Sequence, residues 1–282
     1  VVDTKLMVRT PNEQKTFSFA GDLLRIGSSD GDYGTLAPCR NSAIGTVTFP
    51  GVNGAAGLIL EKGFIQPYKA NSTMTIAGKV KVTALDSDPF VIRLVGGDTA
   101  TNNQVVLSAT LEGERSTMLR TLVYKQEKMR PSFVALDGDA SNFMGTFDVY
   151  SYDKDRPCDC YLYNSHSLGG ELIVRKWSSL LPQYASTLWT IGTLRLDAGS
   201  TLATKLTINS QKGGIPETST ITLTEGLMTT SPVNLTFTGG ARRDTDAAVG
   251  YEWSVLKLPK AKAEQIHPEH FVLASQNTSF PK

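Results

Sequence analysis

The stretches STMTIAGKVKV (Ser72–Val82) and STLWTIGTLRL (Ser186–Leu196) repeat one pattern 114 residues apart. In the first, Val80 and Val82 fall on one side and Lys79 and Lys81 on the other, the alternation of a half-buried strand. Gly78 and Gly192 hold the same place in both. Upstream, LILEK (Leu58–Lys62) matches LIVRK (Leu172–Lys176) at the same offset, and each leads into a turn with one proline and one tyrosine, IQPY or LPQY. Downstream, QVVLSATLEG (Gln104–Gly113) resembles TSTITLTEG (Thr218–Gly226), and GTFDVYSY from Gly145 resembles GYEWSVLK from Gly250. PSFVALDG from Pro131 lines up with PVNLTFTG from Pro232 at an offset of 101, as though the second copy had shorter loops. Blocks kept in one order predict an internal duplication. Leu58, Val80, Val134 and Val149 are then the counterparts of Leu172, Leu194, Leu235 and Val255.

Each copy holds seven or eight short runs rich in Val, Ile, Thr and aromatics, separated by Gly, Asp, Asn and Pro. In the first copy they are LILEK, KVKVTAL, FVIRLV, QVVLSAT, MLRTLVYK, PSFVAL and TFDVYSY. Strands and turns require those compositions, and many short strands point to sandwiches or barrels. Helical periodicity is confined to two short candidates, Ser178–Leu188 and Ala261–His270. The expectation is two all-β sandwiches in tandem, meeting where DKDRPCDC (Asp153–Cys160) breaks the pattern. Residues 1–155 are then an N-terminal arm plus the first domain, and residues 156–282 the second domain with a C-terminal tail. The segment before Leu58 has no counterpart, so it either completes the first sandwich or crosses to a neighbouring subunit.

Bulk properties exclude several classes. With 40% hydrophobic and 20% charged residues among 282, the chain can fill a core and is not disordered. A net charge of +1 without any long Lys or Arg run argues against binding nucleic acid mainly through its phosphates. No run of 18 apolar residues and no signal-peptide pattern is present. A start at Val1-Val2-Asp3 suits a chain trimmed or cut from a precursor. Cys39, Cys158 and Cys160 are too few for a disulfide framework and favour a reducing compartment. Asn71, Asn234 and Asn277 match the glycosylation pattern by chance in a Thr-rich chain.

The search for chemistry gives no catalytic, cofactor or metal site. The three histidines are His166, His267 and His270. His267 and His270 look like a metal pair, but without a third ligand they read as a solvated turn. Cys158 and Cys160 lack the two-residue gap of redox and zinc motifs, so reduced, metal-free thiols are expected. Asp30-Gly-Asp32 and Asp137-Gly-Asp139 read as turns, lacking the Glu of a calcium loop. No nucleophile elbow or phosphate loop appears. Arg242, Arg243, Lys257, Lys260 and Lys262 tint the C-terminal third basic, balanced by Asp244 and Asp246. Trp253 reads as core; Trp177 and Trp189 read first as core or interface packing, and with Tyr184 they are the only candidates for a sugar-stacking platform.

TMTIAGKVKVTA (Thr73–Ala84), GGELIVRKWSS (Gly169–Ser179) and VGYEWSVLK (Val249–Lys257) resemble strands of the large coat proteins of comoviruses, which are picorna-like plant viruses. That resemblance implies two tandem eight-stranded antiparallel jelly-roll sandwiches and release from a polyprotein. It also implies a structural, non-enzymatic role in the icosahedral shell of a virion assembled in the host cytoplasm around RNA. The implied partners are further copies of the chain, a smaller companion coat protein and weakly contacted genomic RNA, with no membrane. The competing reading is a tandem β-sandwich carbohydrate-binding or adhesin module, marked by exposed aromatics at one strand end.

Overall fold

A computed structural model describes residues 5–8, 16–28, 30–38, 45–67, 73–95, 104–125, 132–209, 215–238 and 254–275. Within them the chain coils as a parallel β-solenoid. One sheet stacks β1 (Lys5–Val8), β4 (Gly34–Pro38), β7 (Gly63–Ile65), β9 (Phe90–Val95), β11 (Met118–Lys125), β14 (Thr146–Val149), β16 (Ser167–Val174), β18 (Leu188–Leu196), β21 (Thr220–Thr229) and β23 (Leu256–Lys257). The main path of the second stacks β2 (Thr16–Ser18), β5 (Thr46–Phe49), β8 (Thr73–Val82), β10 (Gln104–Gly113), β12 (Ser132–Leu136), β15 (Cys158–Leu162), β17 (Ser178–Pro182), β19 (Thr201–Asn209), β22 (Val233–Thr238) and β24 (Phe271–Ser275). Off that path lie β3 (Leu24–Ile26), β6 (Leu58–Leu60), β13 (Asn142–Phe143) and β20 (Ile215–Thr218). Every ladder between coils is parallel, and the one antiparallel strand pair among the described residues is the β19–β20 hairpin.

Alternation does the sorting. In β15, Cys158, Cys160 and Leu162 point inward and are fully buried, while Asp159 and Tyr161 face out. Each inward residue stacks on its counterpart one coil away: Val134 on Cys160, and Cys160 on Leu180. The inward rows form one apolar core from Leu24 to Val233, with Trp189, Phe49, Phe90, Phe143 and Phe147 as its largest fully buried side chains. Thr121 adds a polar interior contact: its hydroxyl accepts from the Tyr150 amide and lies 3.3 Å from Cys158 Sγ.

Ser72–Val82 and Ser186–Leu196 contain strands β8 and β18, but not of a sandwich. Leu58 and Val80 lie in the second sheet, whereas Leu172 and Leu194 lie in the first, so the duplication fails for both pairs. What the two stretches share is one coil step. Leu58 stacks on Val80, and Leu172 on Leu194, each 22 residues further along. Both glycines also sit where backbones crowd. Gly78 has φ +96° at the point where β8 stops pairing with β5 and takes up β6, and a Cβ there would lie 2.1 Å from the Phe49 carbonyl oxygen. A Cβ on Gly192 would lie 2.3 Å from the Gly169 carbonyl oxygen.

The antiparallel jelly-roll expectation is therefore overturned. Apart from the β19–β20 hairpin, consecutive strands do not pair with one another; along the main paths the chain alternates between the two sheets, and each strand pairs with one a coil away. The wedge-shaped sandwich behind the coat-protein resemblance is absent, and the virion, plant-virus and shell expectations lose that support. Across Asp153–Cys160 both ladders continue, β12 onto β15 and β14 onto β16. Of the two helical candidates, Ser178–Leu188 contains β17, and Ala261–His270 falls within 3-10 turns at Lys260–Gln265 and Pro268–His270.

Candidate functional site

Parallel, in-register stacking lines outward residues up in columns that cross the coils. One column on the second sheet runs Thr75, Val106, Ala135, Tyr161, Leu181. Beside it runs Phe133, Asp159, Ser179, Thr201. On the other side Ser108, within β10, and Asp137, Tyr163 and Gln183, each just past a strand end, continue the coil order; the Tyr163 amide donates to the Leu136 carbonyl and the Gln183 amide to that of Leu162. The result is an aromatic surface. Phe133 and Tyr161 meet edge to face at 5.0 Å between centroids, and Tyr161 and Tyr163 at 6.0 Å. All three rings are half-buried, and Tyr184, 53% exposed, lies close enough to Tyr163 to act on its charge.

Polar groups border these rings on two sides. Asp137 accepts from the Asn164 side-chain amide and, at 3.3 Å, from the Ser108 hydroxyl. Across the patch, burial pushes the Asp159 carboxyl up to about 6, with the Ser179 hydroxyl hydrogen bond pulling the other way. Burial also raises Tyr161, aided by the nearby Asp159 charge, so its phenol remains a neutral donor at ordinary pH. The columns named here carry two carboxylates and neither Lys nor Arg.

The aromatics singled out from the sequence do not form this surface together. Trp189 is core, 1% exposed, and its Nε1 donates to the Asn164 carbonyl at 3.0 Å while its ring meets His166 edge-on. Trp177 stands at φ +61° before β17 under the Lys176 ammonium, and Tyr184 follows the strand's other end. Tyr161 and Tyr163 were readable as a same-face pair in CDCYLY. Phe133, one coil earlier, was visible only once the coil step was known.

Cys158 and Cys160 are buried free thiols; burial pushes Cys158 up to about 12 and Cys160 well above its usual range, so neither is nucleophilic in the folded chain. Asp30 and Asp32 are exposed on a turn. Asp139 accepts from the Ser141 amide and hydroxyl, both at 3.0 Å, which is turn chemistry. Lys257, Lys260 and Lys262 are exposed. Cys39, Arg242, Arg243, Asp244, Asp246 and Trp253, with Asn71 and Asn277, lie outside the described residues.

Asp148 is a fully buried carboxylate on the first sheet, but its oxygens are already engaged. Arg120 Nε donates to one at 2.7 Å and Arg175 Nε to the other at 2.8 Å; Arg175 continues to Asp197, and Asp197 to Arg195. This five-membered line of alternating charge ties β11, β14, β16 and β18 together across the stack. Charge-assisted, hydrogen-bonded pairs of this kind fix the positions of the groups they join.

The C-terminal turn gives the sequence reading its clearest omission. His267 and His270 approach to 4.8 Å between ring centroids, and Glu269 between them supplies the third donor group, with one donor atom from each residue within 4.8 Å of the others. His267 and His270, three positions apart, come together across the 3-10 turn at Pro268–His270, and Glu269 joins them through its 3.2 Å contact with His267 Nδ1. Among the described residues this is the one group of three His, Cys, Asp or Glu side chains so arranged. No family model matches this chain, and no curated protein or solved structure is significantly similar to it.

Proposed function

We propose that the chain is a saccharide-binding solenoid, a stiff β-stack whose second sheet holds a neutral glycan against its outer face. The observation that carries this reading is the cluster of Phe133, Tyr161 and Tyr163, half-open on a regular parallel sheet and bordered by Asp137, Asn164, Gln183 and Asp159. A sugar ring presents an apolar C–H face and a rim of hydroxyls. Aromatic rings with amides and carboxylates at their margin match both features. The two carboxylates, unaccompanied by Lys or Arg in these columns, disfavour acidic glycans and nucleic-acid phosphates. The carbohydrate-binding role raised from the sequence thus returns on different residues and on a different fold.

Native gel electrophoresis through soluble polysaccharides tests the proposal. Xyloglucan, galactomannan and hydroxyethylcellulose serve as neutral polymers, and polygalacturonate as the acidic one. The intact chain should be retarded by at least one neutral polymer and not by the acidic one. The Tyr161→Ala/Tyr163→Ala double variant should bind at least about tenfold more weakly, given roughly 1 kcal/mol per aromatic contact. Failure of every neutral polymer, or equal retardation of the double variant, overturns the reading.

A further inference from the structure

We propose that His267, Glu269 and His270 form a binding site for a divalent transition-metal ion of the zinc class. Three observations converge on it. First, the donors are already gathered: His267 Nδ1 lies 3.2 Å from Glu269 Oε1, and one donor atom from each of the three residues falls within 4.8 Å of the others. Ligands bound at ~2.0–2.1 Å around a tetrahedral ion stand about 3.3 Å apart, so one edge of the site is formed and the others close by at most about 1.5 Å. That movement is within reach of side-chain rotation, because His267 and Glu269 are exposed.

Second, His270 is held as a ligating imidazole is held. Its Nδ1 is 2.7 Å from the Thr229 hydroxyl at the end of β21, which fixes the ring and leaves Nε2 as its donor to a metal. Metal-bound histidines characteristically carry such a hydrogen bond on the second nitrogen. Third, the turn is itself anchored. Gln265 Oε1 accepts from the Leu227 amide at 2.8 Å, and Pro268 opens the 3-10 turn with its φ already set. The cluster is thus mounted on β21 rather than adrift on a loose loop.

Two imidazoles and a carboxylate suit zinc, nickel or copper; calcium and magnesium prefer all-oxygen shells. The ion replaces the direct contact between His267 Nδ1 and Glu269 Oε1. Three protein donors leave a fourth position for water or for a group from a binding partner. Because Phe271, the first residue of β24, follows His270 directly, an ion here also fastens the start of the last strand to β21.

Isothermal titration of the untagged full chain with zinc chloride, in excess magnesium, tests the site. One ion per chain is expected, with affinity in the micromolar range or tighter. His270→Gln should weaken binding at least about tenfold, and Thr229→Val by about 10-fold as an orienting contact, with the far-UV spectrum unchanged. Glu269→Gln should also weaken it and leave the fold intact, since its side chain is exposed. Absence of stoichiometric binding below millimolar zinc overturns the proposal, as does a His270→Gln affinity within tenfold of the parent.

Discussion

Asp159 shows how much a single outward position can carry. Placed between Phe133 and Ser179 in its column, it holds a proton up to about pH 6, whereas an ordinary carboxyl titrates at 3.8. Over that interval the folded chain binds more protons than the unfolded one, so the contribution to stability is complete below pH ~4 and is lost as pH rises through 6. A shift of this size corresponds to about 3 kcal/mol. Denaturant titrations between pH 4 and 8 should therefore show the parent weakening over this window. Asp159→Asn, which keeps the neutral shape, should be the more stable form at pH 8 by a similar amount. Parallel pH profiles for the two proteins would show that the carboxyl is not strained. None of this was legible in CDCYLY, where Asp159 is a polar residue on the outward parity. Its neighbours come from other coils, and only the stacking brings Phe133 against it. Glu269 was overlooked for a local reason: a residue between two histidines joins them only if the backbone turns within three residues.

At the level of the strand, the sequence located most elements and misassigned their partners. FVIRLV, MLRTLVYK and QVVLSAT are all strands, because alternation of apolar and polar residues marks one buried face. That alternation is the same whether the neighbour runs parallel or antiparallel. The distinguishing signal is a constant coil length, and here the step varies from 20 residues (Cys158 to Ser178) to 39 (Thr236 to Ser275). The apparent duplication arose because two separate coils share a 22-residue step with a similar entry strand. Excising residues 172–193 tests this account. Glu171 would then join Leu194, and Arg195 would fall opposite Asp148 where Ile173 stood. Cys160 would meet Leu202 in place of Leu180, so both sheets should close over the gap. The shortened chain should remain folded and cooperative, with a β-type circular-dichroism spectrum and somewhat lower stability. Collapse to an unfolded spectrum would mean that the stack is not modular.

For the molecule as a whole, coils that contact mainly their immediate neighbours make stability a sum of nearest-neighbour terms. Hydrophobic side chains pass from one coil to the next in continuous rows, and the charge line from Arg120 to Arg195 fastens the middle of the first sheet. Such an object has a grain. Its inter-strand hydrogen bonds run along the stacking axis, so tension applied between its ends loads them one coil at a time, like a zipper. A chain held between a surface and a cantilever should therefore lengthen as a staircase of low-force events. A 22-residue coil releases about 75 Å of contour and a 39-residue coil about 135 Å, at 3.3–3.6 Å per extended residue. One tall rupture releasing the whole length at once would show that the coils yield together. Pulled along the strands, at right angles to that axis, the same bonds share the load in shear, so the protein should be compliant along its axis and stiff across it.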